Sequence, residues 1–506
     1  MKNTKKIIAL ALTVVLCLSM FTGCKKDQKA AGGVKVYDAF IFMPNVAYNA
    51  DMPVWKEAEK ATGVRLNGVV SEVATDPQAA YSTMLAGSEL PAVIRTTCKN
   101  LSELAADGGL VPLDDLIEEY APNLKKYFED YPMAKAVATG EDGHIYFVSC
   151  MLGETESRPS VGHFVRKDWL EKLGLEEPKT IDELHDVLYA FRNEDPNGNG
   201  KKDEIPYFAR DKSVNGILRL FNADLDILVK NGKIVYSPAT PEFKEGVKTI
   251  AKWYKEGLID PEIFSRTNPR EQLLGSDIGG YTVDWFASTA SFNDVFKDSV
   301  PGIDFSAILP PESTDGKVKM INSFNCLTDN AWGITSNTSE EDQIELIKYF
   351  DFWLTEEGIN LQTWGVEGMS YEYDKNGEIV FTEEALKYPG GFPEYKASIG
   401  ANHIPTITLN KAEKMAMNEA ARKGFEMYEP LVGAPLPRLS YTSEESEILA
   451  KYENNVKTAF GEQYMKWVMG KGDVDKEWDA YIDTLNSLGL KEILKVYNSA
   501  YDRLYK

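Results

Sequence analysis

The chain has 506 residues, 43% of them hydrophobic, and a formal charge of −23 from 78 acidic and 55 basic side chains. That length supports two or more lobes with cores of their own, and so acidic a surface repels phosphate backbones, which argues against a nucleic-acid partner. The histidines, at positions 144, 163, 185 and 403, form no HExxH, and GxSxG, GxxxxGK[ST] and a strand-following GxGxxG are absent, so zinc hydrolysis, His-dependent nucleophilic catalysis and nucleotide chemistry lack their usual signatures.

Lys2, Lys5 and Lys6 precede the apolar run Ile7 to Leu18, which is followed by Phe21-Thr22-Gly23-Cys24. A cationic head, an apolar stretch too short to span a bilayer and a small residue before a cysteine read as an export signal over residues 1–23. Gly23-Cys24 resembles the lipobox of bacterial lipoproteins. The resemblance implies acylation of Cys24, palmitate included, and a chain held outside the cytoplasm at the cell membrane. No later apolar run approaches the roughly 20 residues of a membrane helix, so the lipid is the expected sole anchor. Residues 24–33 lack apolar periodicity and read as a flexible polar tether. Cys98, Cys150 and Cys326 have no CxxC spacing and read as small buried hydrophobes.

Val34 to Met43 then reads as a strand, Pro44 to Asp51 as a loop, Pro53 to Thr62 as a helix ended by Gly63, and Val64 to Val70 as extended chain. Ala79 to Gly87, Leu113 to Tyr120 and Asn123 to Tyr131 follow as helices, with Leu90 to Thr97 and His144 to Ser149 as strands. Such alternation predicts α/β lobes with mainly parallel sheets. Ligands of open sheets of this kind sit beyond the carboxyl ends of the strands, which points to the loop after Met43 and to Arg95.

Phe164 to Leu175 (FVRKDWLEKLGL) is a strand running into a helix start, and in PKTIDEL Thr180 is the expected N-cap with Glu183 completing a capping box. With Trp253 to Glu262 (WYKEGLIDPE) and the tail from Trp478 through Leu488-Gly489-Leu490 to Arg503, these stretches closely resemble the extracellular solute-binding proteins that deliver oligosaccharides to ABC importers. The resemblance implies an α/β, two-lobed, periplasmic-binding-protein-like fold of type II with hinge crossings, and a monomer that presents its ligand to ABC transporter permease subunits. One lobe is expected from residues 34–150 and 321–400, the other from 151–320 and 401–506, with crossings near Cys150 to Pro159 and near residues 320 and 400. A helical tail is expected from Ser443, opened by the cap-like Ser440 to Glu445.

Between Asp195 and Pro206 the sequence DPNGNGKKDEIP places oxygen side chains at positions 1, 3, 5 and 9 and glycine at 6, the spacing that wraps a hard cation. Pro206 replaces the closing Glu of an EF-hand, which leaves Glu204 to complete the shell. Three carboxylates this close repel one another without a cation. The loop resembles that of calcium-binding alginate receptors, and the resemblance implies structural calcium held by Asp195, Asn197, Asn199, the Lys201 carbonyl, Asp203 and Glu204.

Sugars present apolar C–H faces to flat rings and hydroxyls to amides, carboxylates and guanidiniums. Trp285, at the end of GGYTVDW, stands where the family commonly carries a ligand-stacking aromatic, and Trp364 lies in a glycine-flanked family stretch expected to face the cleft. Asn45, Tyr48, Arg95 and Arg166 are further candidates from their strand-end positions. Trp253 and Trp353 fall on amphipathic helices and are expected in cores. Two functions then compete. One is a receptor that closes around an oligosaccharide without catalysis; the other is a membrane-anchored lyase or glycosidase with carboxylates flanking the cleft. With 78 acids almost any carboxylate spacing occurs by chance, and the receptor is the expected function.

Overall fold

The computed structural model describes residues 33–505 apart from 44, 45, 72, 73, 322, 390 and 403. The expected signal segment, the acylated Cys24 and the candidate Asn45 lie outside the described residues. In the first lobe the apolar runs of β1 (Lys35–Ile41), β2 (Val64–Gly68) and β3 (Val93–Thr97) pair in parallel around β1, while β4 (Phe147–Met151) lies at the far edge of the sheet. The strand between β3 and β4 is β13 (Leu327–Ile334), which arrives much later in the chain and runs antiparallel to both. Trp332 of β13 packs 5.9 Å from Trp55, which in turn lies 5.3 Å from Trp353. These rings close one core over helices Pro53–Thr62 and Glu340–Phe352.

A second sheet has the order β11 (Phe305–Ile308), β6 (Val161–Arg166), β10 (Gly279–Trp285) and β7 (Ile205–Tyr207). Only β7 and β10 are parallel; β6 is antiparallel to both of its neighbours. The expected mainly parallel sheets are therefore corrected to mixed ones. Parallel neighbours need a crossover between consecutive strands, and here several strands re-enter their sheet from distant parts of the chain, free of that constraint. Two hairpins lie outside the sheets: β8 (Ile227–Lys230) with β9 (Lys233–Tyr236), and β14 (Tyr371–Tyr373) with β15 (Ile379–Phe381). Asn231 and Gly232, at φ 53° and 69°, make the first of these turns, a geometry that favours Asn-Gly.

The second lobe's core also takes in the tail helices Ser443–Val468, Val474–Ser487 and Leu490–Tyr505, through Val456, Phe460, Trp467, Leu485 and Val496. Thr442 and Glu445 form a reciprocal capping box at the start of the first of them. At helix Ile181–Asn193 the expected box is only half made: Thr180 accepts from the Glu183 N–H, but the Glu183 carboxylate accepts from the Lys179 N–H. Trp253 and Trp353 are buried in cores, and Cys98, Cys150 and Cys326 are buried free thiols.

His163, on β6, is buried 2.5 Å from the Tyr281 hydroxyl, and burial pushes its pKa from 6.5 down to about 3. Above pH 6.5 the imidazole is neutral both folded and unfolded; below it only the unfolded chain takes up the proton. Stability is therefore lost as pH falls from 6.5 towards 3, by up to about 1.4 kcal/mol per unit. His163→Gln is expected to flatten this part of the pH profile of urea midpoints. An unchanged acid slope would refute the assignment.

Candidate functional site

The two lobes are joined by a two-stranded antiparallel ribbon of β5 (Ser157–Arg158) and β12 (Phe324–Asn325), with Phe324 opposite Arg158 and Asn325 opposite Ser157. Because side chains alternate across a strand, each cross-strand pair faces one side of the ribbon. On the Phe324 face, β10 of the second lobe ends at Trp285, whose indole is 41% exposed and meets Phe324 edge to face at 5.7 Å. The Arg158 guanidinium lies 5.0 Å from the Phe324 centroid and is ion-paired with Glu413. The result is an aromatic corner on the hinge, backed by a guanidinium with its own counter-charge.

Buried Asp284 fixes the base of that corner. Its carboxylate accepts from the Trp285 N–H at 2.7 Å and lies 3.3 Å from Arg270 and 3.7 Å from Arg210, whose side chain is half exposed. An exposed ring beside a guanidinium offers both kinds of contact a hydroxylated ligand needs. On the opposite face of the ribbon the Asn325 amide donates to the Leu436 carbonyl. A cavity of about 1260 Å³ lies between residues 98–107 and 132–142 of the first lobe and residues 437–447 of the second. Trp285 does not line it.

The other predicted ligand residues divide sharply. Trp364 is 3% exposed and packs 5.2 Å from Phe381 in a satellite core, so it is corrected from cleft residue to packing residue. Tyr48 is likewise a packing residue: its ring lies edge to face with Trp55 and its hydroxyl donates to the Leu66 carbonyl. Arg166 is buried and ion-paired with Asp168 and Asp277, a structural clamp whose charge is already balanced by carboxylates of the protein. Arg95 is buried on β3, where its guanidinium donates to the Phe42 carbonyl at the end of β1. Phe324, Arg158, Arg210 and Asp284 were not singled out from sequence. Asp284 adjoins Trp285 and could have been, but the two-residue strands that carry Phe324 and Arg158 have no periodicity to detect.

The loop at 195–206 is folded by its own oxygens. The Asp195 carboxylate accepts from the Asn199 and Gly200 N–H groups, Asn197 Oδ1 accepts from the Asn199 N–H, and Asn199 Oδ1 accepts from the Lys201 N–H. The Asn199 amide donates to Asp203, and the Asn197 amide to the Asp277 carbonyl, which ties the loop to the Arg166 clamp. Glu204 is fully buried, and neither of its carboxylate oxygens has a hydrogen-bond partner. Burial, with the charges of Asp203 and Asp195 added, raises its carboxyl above the ordinary range. Among the described residues no three His, Cys, Asp or Glu side chains converge as a metal cluster, so a cation here would rely on amide and carbonyl oxygens as well. Two buried, unpartnered carboxylate oxygens beside such a set fit a hard cation.

Two α/β lobes on a narrow ribbon, with an exposed indole where they meet, define a hinged binding protein. Residues 44–359 match the family described as bacterial extracellular solute-binding protein, and the chain belongs to that family. It is similar to the solved structure of the alginate-binding protein AlgQ2 without calcium ion, at 33% identity and a TM-score of 0.76, over 94% of this chain and 100% of that one. It is 29% identical over 486 residues to the fructooligosaccharide ABC transporter substrate-binding protein FusA of Streptococcus pneumoniae serotype 4, covering 89% and 86% of the two chains. The polygalacturonan/rhamnogalacturonan-binding protein YtcQ of Bacillus subtilis strain 168 is 25% identical over 528 residues, covering 99% of each. All three are named as binding proteins, none as an enzyme.

Proposed function

We propose that this chain is a lipid-anchored receptor outside the cytoplasm that captures an oligosaccharide between its lobes and presents it, as a monomer, to the permease of an ABC transporter. The observation that carries the reading is the aromatic corner of Trp285 and Phe324. It joins a residue of the second lobe to the hinge ribbon, so a sugar stacked there bears on the element that closure must bend. Contacts available only when the lobes approach favour the closed state by differential affinity. Arg95, on the other lobe, is the candidate polar contact, and Asn45 remains a candidate from its place just beyond β1. Acylation of Cys24 after removal of residues 1–23 accounts for the anchor. Among the described residues no helix is long and apolar enough to cross a membrane.

The relatives' ligands support an oligosaccharide, and their names span acidic and neutral glycans. Calcium, held by Asp195, Asn197, Asn199, the Lys201 carbonyl, Asp203 and Glu204, would supply rigidity rather than chemistry. The Asn197 amide, bonded to the Asp277 carbonyl two residues before β10, ties the loop to the entry of the second sheet. The test is closure without turnover: a glycan that draws the lobes together and is recovered at its original chain length supports the reading, and shortened products would establish an enzyme instead.

A further inference from the structure

Four described arginines stand on strands: Arg65 on β2, Arg95 on β3, Arg158 on β5 and Arg166 on β6. Three of them carry carboxylates. Arg65 is paired with Glu59 and Asp51, Arg158 with Glu413, and Arg166 with Asp168 and Asp277. Arg95 is 4% exposed, its Nε has no hydrogen-bond partner, and among the described residues no carboxylate acts on it; the Phe42 carbonyl is its one described acceptor. Holding a guanidinium out of water without a counter-charge costs several kcal/mol. An anion brought by the ligand would remove that cost, and the planar fork matches a carboxylate with two parallel hydrogen bonds.

Its position suits that role. Arg95, the middle residue of β3, is in register with Trp332 of β13 and with Ile41, the last residue of β1, so it stands level with the carboxyl end of β1. Ligands of open α/β sheets bind at that end. We propose that Arg95 receives the carboxylate of a uronic acid residue, so that the ligand is an acidic oligosaccharide gripped by a charge in the first lobe and by Trp285 in the second. The inference rests on the receptor reading above. A chain of charge −23 offers no long-range attraction to such a ligand, so discrimination must come from a local pair of this kind.

The experiment is calorimetric titration of the full-length protein in calcium with trimers of galacturonate and of mannuronate, with the same trimers carboxyl-reduced to neutral sugars, and with kestose. At least one uronate trimer is expected to bind, and its reduced form to bind at least about tenfold more weakly. In Arg95→Met the two forms should bind alike. If that variant does not fold, the wild-type comparison of acidic and reduced trimers decides alone. Equal binding of the two forms, or binding of kestose alone, overturns the inference and leaves the receptor reading standing. If no oligosaccharide of either charge binds or raises the melting temperature, both are overturned.

Discussion

Trp285→Ala is expected to weaken oligosaccharide binding by about 2 kcal/mol or more, roughly thirtyfold in Kd, the usual cost of truncating an aromatic anchor at the centre of a binding site. The fold should hardly notice. Trp285 ends β10 with 41% of its surface exposed, and what it gives up within the protein is the edge-to-face contact with Phe324, worth about 0.5–1.5 kcal/mol. Trp285→Phe keeps a flat ring at the same place and should recover part of the affinity. Trp364→Ala supplies the opposite case: its ring is buried against Phe381, so about 3–5 kcal/mol of stability is lost, while the folded fraction binds sugar as before. Calorimetric titration paired with urea unfolding separates the two effects. Wild-type affinity in Trp285→Ala would remove the aromatic corner from the site.

Chelation of calcium should lower stability through one residue above all. A cation that binds only the native state adds about 2.7 kcal/mol at a hundredfold excess over its Kd, and a chelator should therefore lower the melting temperature of the wild-type protein by a readily measured amount. Glu204 is where the loop most needs that charge, since both carboxylate oxygens are buried and unpartnered. Glu204→Gln keeps the volume and removes the anion. The metal-free variant should then be at least as stable as the metal-free wild type, because no bare charge is left buried, while the calcium-dependent gain disappears. A wild-type melting temperature indifferent to chelator would contradict the assignment, as would a full calcium response in Glu204→Gln.

What could be read along the chain follows from how local each feature is. The strand β1, the helix Pro53–Thr62 with its glycine stop, and the capping box at Thr442 are set by neighbours within a few residues, and each was legible as a run, a period or a cap. The cation-wrapping spacing of the loop at 195–206 is legible for the same reason, its oxygen side chains lying within a dozen positions. Pairing partners are not encoded in periodicity. Nothing in Leu327–Ile334 announces that it will slot between β3 and β4, or that it will run against them. The two candidate tryptophans show the same limit. Both follow apolar runs beside glycines, and what separates them is the hairpin of Tyr371–Tyr373 and Ile379–Phe381, which covers Trp364 and leaves Trp285 open. Arg95 and Arg166 were equivalent as strand-end arginines until Asp277, far away in sequence, was seen to claim one of them.

A glycan is expected to draw the two lobes together about the ribbon at Ser157–Arg158 and Phe324–Asn325 and to leave chemically unchanged. Small-angle X-ray scattering of the protein in calcium, with and without a saturating oligosaccharide that raises its melting temperature, tests this most directly when the glycan is sized afterwards. A smaller radius of gyration with ligand is expected, with the same change at reduced affinity in Trp285→Ala and a glycan of undiminished length. An unchanged radius at full occupancy, or a shortened glycan, would contradict this expectation.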